Sequence, residues 1–418
     1  MVSSDNLLRA LESQLLSGEP SARICHDPFP ADDRGDFVKF QANRDVFSEA
    51  VSFAVKLLPQ RTTLPILSGV LIETTDTGLR LSSFDYEVSA QTEIAAEVEE
   101  QGRVLVSGRL LAEIASKLPN APVQFSTEDS KIVVRAGTAN FTLLSMPVEE
   151  YPSIPQVSGQ SGLVPAEEFS EAVAQVGVAA SRDDVTPVIT GVQLEVGDNT
   201  LGLVATDRYR VAVREIDWDN GTTSGEPVTA LVPARTLTEI GKTLGHSGTI
   251  AVSIMNRDDR ELIAFTADKK TVTSLLIKGN FPPVRRLFPE SVDNYAVINT
   301  ADLIEATRRV SLVLEREAAL RYSFTADGLT LEAIGSEQAQ ASESIDALLT
   351  GQETVVSLKP QFLLDGLGAV HSEFVRISFT KTDNPNKPGP VLITSQTSKD
   401  QAGADNYKYL LQPNLLLR

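Results

Sequence analysis

The chain has 418 residues, room for about two to four domains at the usual ~100–200 residues each. Lys plus Arg number 37 against 56 Asp plus Glu, and the resulting formal charge of −19 is spread along the whole length. That excludes a nucleic-acid binder that works by coating itself in positive charge. The single cysteine, Cys25, excludes an intrachain disulfide and a cysteine-built zinc site and suits a reducing cytoplasm. No continuous apolar run is long enough for a membrane helix.

Residues 1–35 carry acids and several Pro and Gly, do not read as a secretory signal, and are expected to be a disordered extension. From there the elements recur with a period of roughly 125 residues. A helix is expected over 45–58, followed by alternating strands in 77–94, then a strand and a helix in 102–119, where Leu110, Ile114 and Leu118 would share a stripe. A linker rich in Pro, Gly and Ser covers 146–162. The pattern then repeats with a helix over 167–182, strands in 199–216, and a strand and helix in 227–245 with Leu237, Ile240 and Leu244 on one stripe. A second linker covers 280–294, and a third round follows at 301–316, 327–345 and 353–370. The string F-S-E-A-V stands at both 47–51 and 169–173. Each unit reads as an α+β module, with two helices on one face of an antiparallel sheet, and begins with its helix. The expected divisions are 36–158, 159–291 and 292–418.

Catalytic signatures do not emerge. His26, His246 and His371 lie far apart in sequence and lack metal-ligand spacing. Gly241-Lys242-Thr243 resembles the end of a phosphate loop, but position 236 is Thr where the pattern needs Gly, and the tripeptide falls inside an expected amphipathic helix. The residues name no nucleophile, base or cofactor site, so the chain is not read as an enzyme.

Five motifs carry a resemblance over residues 36 to 418: Thr63-Leu64-Pro65-Ile66-Leu67 after Arg61, Ala205 to Val213, Val232-Pro233-Ala234-Arg235, Phe281 to Pro289, and Tyr409-Leu410-Leu411-Gln412-Pro413. In order and spacing they resemble the beta subunits of bacterial DNA polymerase III, the sliding clamps. The resemblance implies three clamp domains per chain and a head-to-tail homodimer that closes a six-domain ring around duplex DNA, with helices inside. It also implies that the replicative polymerase, an ATP-dependent clamp loader and repair proteins dock through short peptides, and that the protein works in the cytoplasm at the nucleoid. The implied DNA-facing residues are Arg61, Lys56, Arg109, Lys117, Arg182, Arg235, Lys242, Arg308, Arg309 and Lys359.

Carried over by motif, the docking groove would use Ile189, Thr206, Arg208, Arg210, Val211, Pro282, Arg286, Leu287, Leu410, Gln412, Pro413, Asn414 and Leu415. Of these, Arg208, Arg210 and Arg286 are expected at the surface, since an unpartnered buried guanidinium is costly. Phe141 and Leu143 on one strand, with Leu312 and Val313 opposite, would form the ring interface. Two departures stand out. Gln412 replaces the family's usual Met, and the tail reads Asn414-Leu415-Leu416-Leu417-Arg418. A specialised paralogue with an altered pocket, or a three-domain scaffold that does not encircle DNA, therefore remain alternatives.

Overall fold

A computed structural model describes residues 37–58, 62–157, 160–219, 228–246, 248–257, 260–315, 318–333, 339–381, 388–403 and 406–414. The expected extension 1–35, together with Arg61 and Leu415, lies outside the described residues.

Among the described residues six helices pair off in chain order: α1 (Arg44–Lys56) with α2 (Gly108–Lys117), α3 (Ala166–Gly177) with α4 (Ala234–Leu244), and α5 (Thr300–Val310) with α6 (Pro360–Gly368). Local chemistry sets their starts. Asn43 caps α1 by accepting from the amides of Asp45 and Val46, and Asn299 caps α5 by accepting from Asp302. In α4 the stripe Leu237, Ile240 and Leu244 is buried as the spacing predicts. In α2 the stripe is rotated by one residue. Leu111, Ile114, Ala115 and Leu118 are buried while Leu110 stays about half exposed, because seven residues make nearly two full turns and keep Leu111 in line with Leu118, with Ile114 and Ala115 on either side. A short strand, not a helix, opens each unit: Lys39–Ala42, Gln160–Pro165 and Tyr295–Asn299. The helix expected over 167–182 stops at Gly177, which matters for Arg182 below.

The first unit supplies strands β1 (Gly69–Thr75), β2 (Gly78–Phe84), β3 (Val88–Ala95), β4 (Arg103–Ser107) and β5 (Ala139–Met146). The second supplies β6 (Gly191–Val196), β7 (Thr200–Thr206), β8 (Arg210–Asp217), β9 (Val228–Pro233) and β10 (Lys270–Leu275). The third supplies β11 (Leu320–Thr325), β12 (Gly328–Ala333), β13 (Ala341–Ile345), β14 (Thr354–Leu358) and β15 (Lys408–Leu411). All pairings are antiparallel, and each unit builds the same block, β3-β2-β1-β4, β8-β7-β6-β9 and β13-β12-β11-β14.

These blocks join across units by their edges. The first unit's β3 pairs with β10 of the second, Val272 opposite Ala90. The second unit's β8 pairs with β15 of the third, Val211 opposite Leu410. The corresponding edge of the third unit, β13, pairs only with β12 among the described residues. At the other end of the chain, β5 pairs along Ala139–Leu144 with Lys131–Ala136 alone, meeting β4 only at Ser145 and Met146. The first unit has its own core around Phe40, Phe47 and Phe125, whereas the second and third share one continuous core.

Candidate functional site

The junction of the second and third units holds a cavity of about 610 Å³. One wall is the turn Asp207–Arg210 between β7 and β8, another the loop Ala180–Thr186 beyond α3, and the third the start of α6, with Gln361, Phe362 and Asp365. Asp207 shapes the turn: its Oδ1 accepts from the amides of Tyr209 (3.0 Å) and Arg210 (3.1 Å). Arg208 sits in the left-handed region at φ 79°, which disfavours side chains, and its Nη2 donates to Thr186 Oγ1 at 2.6 Å across the loop. Beneath it, Thr206 Oγ1 accepts from the Arg208 amide and donates to the Arg210 carbonyl.

Arg210 is buried, contrary to the expectation of a surface role, and it has partners. Its Nε donates to Asp207 Oδ2 at 2.8 Å, and its Nη1 to Asp365 Oδ2 at 2.6 Å and to the Tyr409 hydroxyl at 3.2 Å. The guanidinium also lies 4.4 Å from the Phe362 ring centre. Burial works against its charge, but the Tyr409 and Asp365 contacts outweigh that and raise its pKa. Burial likewise pushes the Tyr409 phenol up, although Arg210 acts in the opposite direction, and the hydroxyl donates to the Phe362 carbonyl at 2.7 Å. One cation thus ties the turn of the second unit to α6 and β15 of the third.

The expected groove residues divide between the two faces of the sheet. Ile189, Arg208 and Arg210 line the cavity, with Thr206 buried under the turn. On the opposite face Val211 and Leu410 pack with Val204, Val213 and Val284 into a small apolar cluster, flanked by Phe281, Phe288 and Leu392. Strand alternation explains the division, because Ala212 and Tyr409 point into the main core while Val211 and Leu410, each one residue away, point out. Pro282 is half-buried and Pro413 buried, Gln412 and Asn414 are half-buried, and Arg286 and Leu287 are exposed. Gln412 donates its amide to the Tyr209 carbonyl at 2.8 Å, so its backbone anchors the tail to the turn.

The residues expected to face DNA also divide. Lys56, Arg109, Lys117, Arg235, Lys242, Arg308 and Arg309 are exposed on the helices. Several engage neighbours: Lys56 reaches Thr243 on α4, Lys242 pairs with Glu239, Arg308 with Glu305, and Arg309 with Glu343. Arg182 and Lys359 do not join this group. Arg182 lies past the end of α3 and lines the cavity, and Lys359 stands just before the first turn of α6, its Nζ 5.9 Å from the Tyr209 ring and 5.5 Å from that of Phe362. Sequence reasoning missed Tyr209, Phe362 and Asp365 as cavity residues. Phe362 and Asp365, three apart on a helix, were the available signal.

At the expected ring interface, Phe141 on β5 is 36% exposed and Leu312 is 83% exposed. Leu143 instead belongs to the first unit's core, opposite Ile132, and Val313 packs partly against the main core. Leu144, which sequence reasoning left out, is 72% exposed on the same strand.

The junction of the first and second units repeats the turn but fills it differently. Tyr86 has φ 73°, and Asp85 Oδ1 accepts from the amides of Glu87 and Val88. The Tyr151 hydroxyl inserts beside it, accepting from the Phe84 amide at 2.8 Å and donating to the Gly69 carbonyl at 3.2 Å. Burial pushes this phenol up from 10.0 to about 12, against a backbone bond to Phe84 that lowers it. The proton is thus held more tightly in the folded state, so this contribution is complete below pH 10 and is lost as pH rises through about 12. Denaturation across that range should show Tyr151→Phe losing up to ~2–3 kcal/mol of alkaline slope relative to the parent chain.

Three units of one antiparallel fold, with paired helices and edge-joined sheets, define the class of DNA clamp proteins. Family models for the N-terminal, central and C-terminal domains of the DNA polymerase III beta subunit match residues 38–155, 163–283 and 285–400. The chain belongs to that family. It is 43% identical over 377 residues to the beta sliding clamp of Streptomyces coelicolor, covering 90% of this chain and 99% of that one. It is 37% identical to the beta sliding clamp homologue GriR of Streptomyces muensis, with the same coverage. The sliding clamp structure from Bacillus subtilis superposes with a TM-score of 0.81 at 25% identity, covering 91% of this chain and all of that one. A sliding clamp from Pseudomonas aeruginosa solved with griselimycin superposes at 0.80, with 25% identity and the same coverage.

Proposed function

We propose that two copies of this chain close head to tail into a six-domain ring that encircles duplex DNA and tethers the replicative polymerase. One observation carries the reading: the same sheet-edge junction is made twice within the chain, and among the described residues its third instance is left with both halves open, β13 at one end and β5 at the other. A second copy supplies each missing strand, and a rotation that closes leaves neither of these two edges open. Retention then comes from enclosure, which accounts for how an acidic chain stays on an acidic duplex. The exposed cations on the helices, Lys56, Arg109, Lys117, Arg235, Lys242, Arg308 and Arg309, would line the hole. Lys242, Arg308 and Arg309 share their charge with a carboxylate, which keeps phosphate contacts weak enough to slide.

The junction of the second and third units would take the apolar peptide segments of the polymerase, an ATP-dependent loader and repair proteins. Griselimycin, the ligand of the Pseudomonas clamp, is expected to bind there too. The role is mechanical and calls on no catalytic group, and it belongs in the cytoplasm at the nucleoid. Among the described residues, no helix is long and apolar enough to cross a membrane. Loading on nicked circular DNA tests the proposal: bound protein should stay on the circle and leave when the circle is linearised. Equal retention on both forms would reject enclosure.

A further inference from the structure

The linker that leads from the second unit to the third, Phe281–Phe288, lies on the outer face of the β6-β7-β8 sheet. Its Val284 enters the apolar cluster with Val204, Val211, Val213 and Leu410, while the next residue is a cation. Arg285 Nε donates to Glu195 Oε2 at 2.5 Å and Nη1 to Glu215 Oε1 at 2.8 Å. These carboxylates occupy one row of the sheet. Glu195 on β6 stands opposite Gly202 on β7, and Gly202 stands opposite Glu215 on β8. The guanidinium spans the row directly above Gly202, where an added Cβ would come within 2.4 Å of Nη2. Gln193 Nε2 steadies the other oxygen of Glu195 at 3.1 Å. A glycine between two in-register glutamates is thus a seat shaped for a planar, two-pronged cation.

We propose that Arg285 is a positioning residue for docking: it clasps the linker to the sheet and fixes the outer-face segment that presents Arg286 and Leu287 to an incoming peptide. The inference rests on the docking role proposed above. Val284 alone, on a smooth valine surface, would leave the short helical turn Val284–Leu287 free to slide, and apolar contact is non-directional. The fork to two fixed carboxylates supplies the direction, and Leu287, half exposed, then faces outward as a preformed anchor.

The test compares the full chain with Arg285→Ala, Gly202→Ala and the double variant. Gly202→Ala keeps every charge and fills only the seat. Two readouts apply: amide exchange at Val284 and Phe288, whose N–H groups bond the Pro282 and Arg285 carbonyls, and the griselimycin dissociation constant. Each single variant should quicken exchange and weaken binding by about tenfold, equivalent to ~1.4 kcal/mol. The double variant should be no worse than either one, since both remove the same clasp. Raising salt should quicken exchange in the parent chain and leave Arg285→Ala unmoved. Sedimentation should show the same oligomer throughout. Exchange unchanged in Arg285→Ala, or losses that add in the double variant, would overturn the clasp. If the parent chain does not bind griselimycin, the docking reading fails instead, and the exchange results by themselves uphold or overturn the clasp.

Discussion

Replacing Arg210 by methionine should destabilise the joined second and third units by about 3–5 kcal/mol, the size expected when one partner of a buried ion pair is removed. The arginine is 7% exposed and holds two carboxylates, Asp207 at 12% and Asp365 at 22% side-chain exposure. Methionine fills much of the volume but leaves both acids facing the Tyr409 hydroxyl and the Phe362 ring with no cation between them. The damage would not stop at stability. Asp207 also sets the turn that carries Arg208 and Tyr209, and Asp365 sits on the helix that carries Phe362, so the cavity loses two walls at once.

Arg210→Lys should recover only part of the loss, because an ammonium cannot fork between Asp207 and Asp365. Asp365→Asn should cost less than either arginine variant, as Asp207 still holds the charge. Chemical denaturation followed by griselimycin binding orders the variants. A methionine variant as stable as the parent would show that the pair is a surface contact and not the tie between the units.

Much of the architecture was legible in the chain because its physics is local. Period-2 runs marked the strands, three- and four-residue spacing marked the helices, and the repeated F-S-E-A-V fixed two copies of one unit. The departures have two causes: partners distant in sequence, and the limits of local periodicity. Arg210 was read as exposed since its second acid lies 155 residues away on α6. Arg182 was expected on a helix reaching residue 182, but α3 ends at Gly177 and leaves it beside the cavity, while Lys359 stands ahead of α6 next to the Tyr209 and Phe362 rings. Leu110 and Leu111 differ by one position, which periodicity over a single short helix does not resolve. Most telling, the edge pairings of β3 with β10 and of β8 with β15 leave no mark on hydropathy, because backbone groups make them.

That edge logic yields the other large effect. Phe141→Lys and Leu312→Lys should each turn the closed ring into monomers, read by sedimentation at micromolar concentration. Leu312 is 83% exposed in the single chain and Phe141 36%, so a lysine costs the fold little at Leu312 and more at Phe141, where its stem can still cover the neighbours while the ammonium reaches water. In the ring each would be buried, and burying one such apolar side chain is worth ~1.5–3 kcal/mol. A head-to-tail dimer has two identical interfaces, so each substitution acts twice, and the added ammonium must be desolvated as well. Together these should raise the dimer dissociation constant by more than about a hundredfold. Leu143→Lys provides the contrast: Leu143 is 5% exposed within the Phe40, Phe47 and Phe125 core, so this variant should unfold the first unit rather than merely separate the copies. Monomers from the first two variants with intact circular dichroism, and a collapsed signal from the third, would together place the interface on the open edge of β5. Dimers that persist through both Phe141→Lys and Leu312→Lys would remove that edge from the ring.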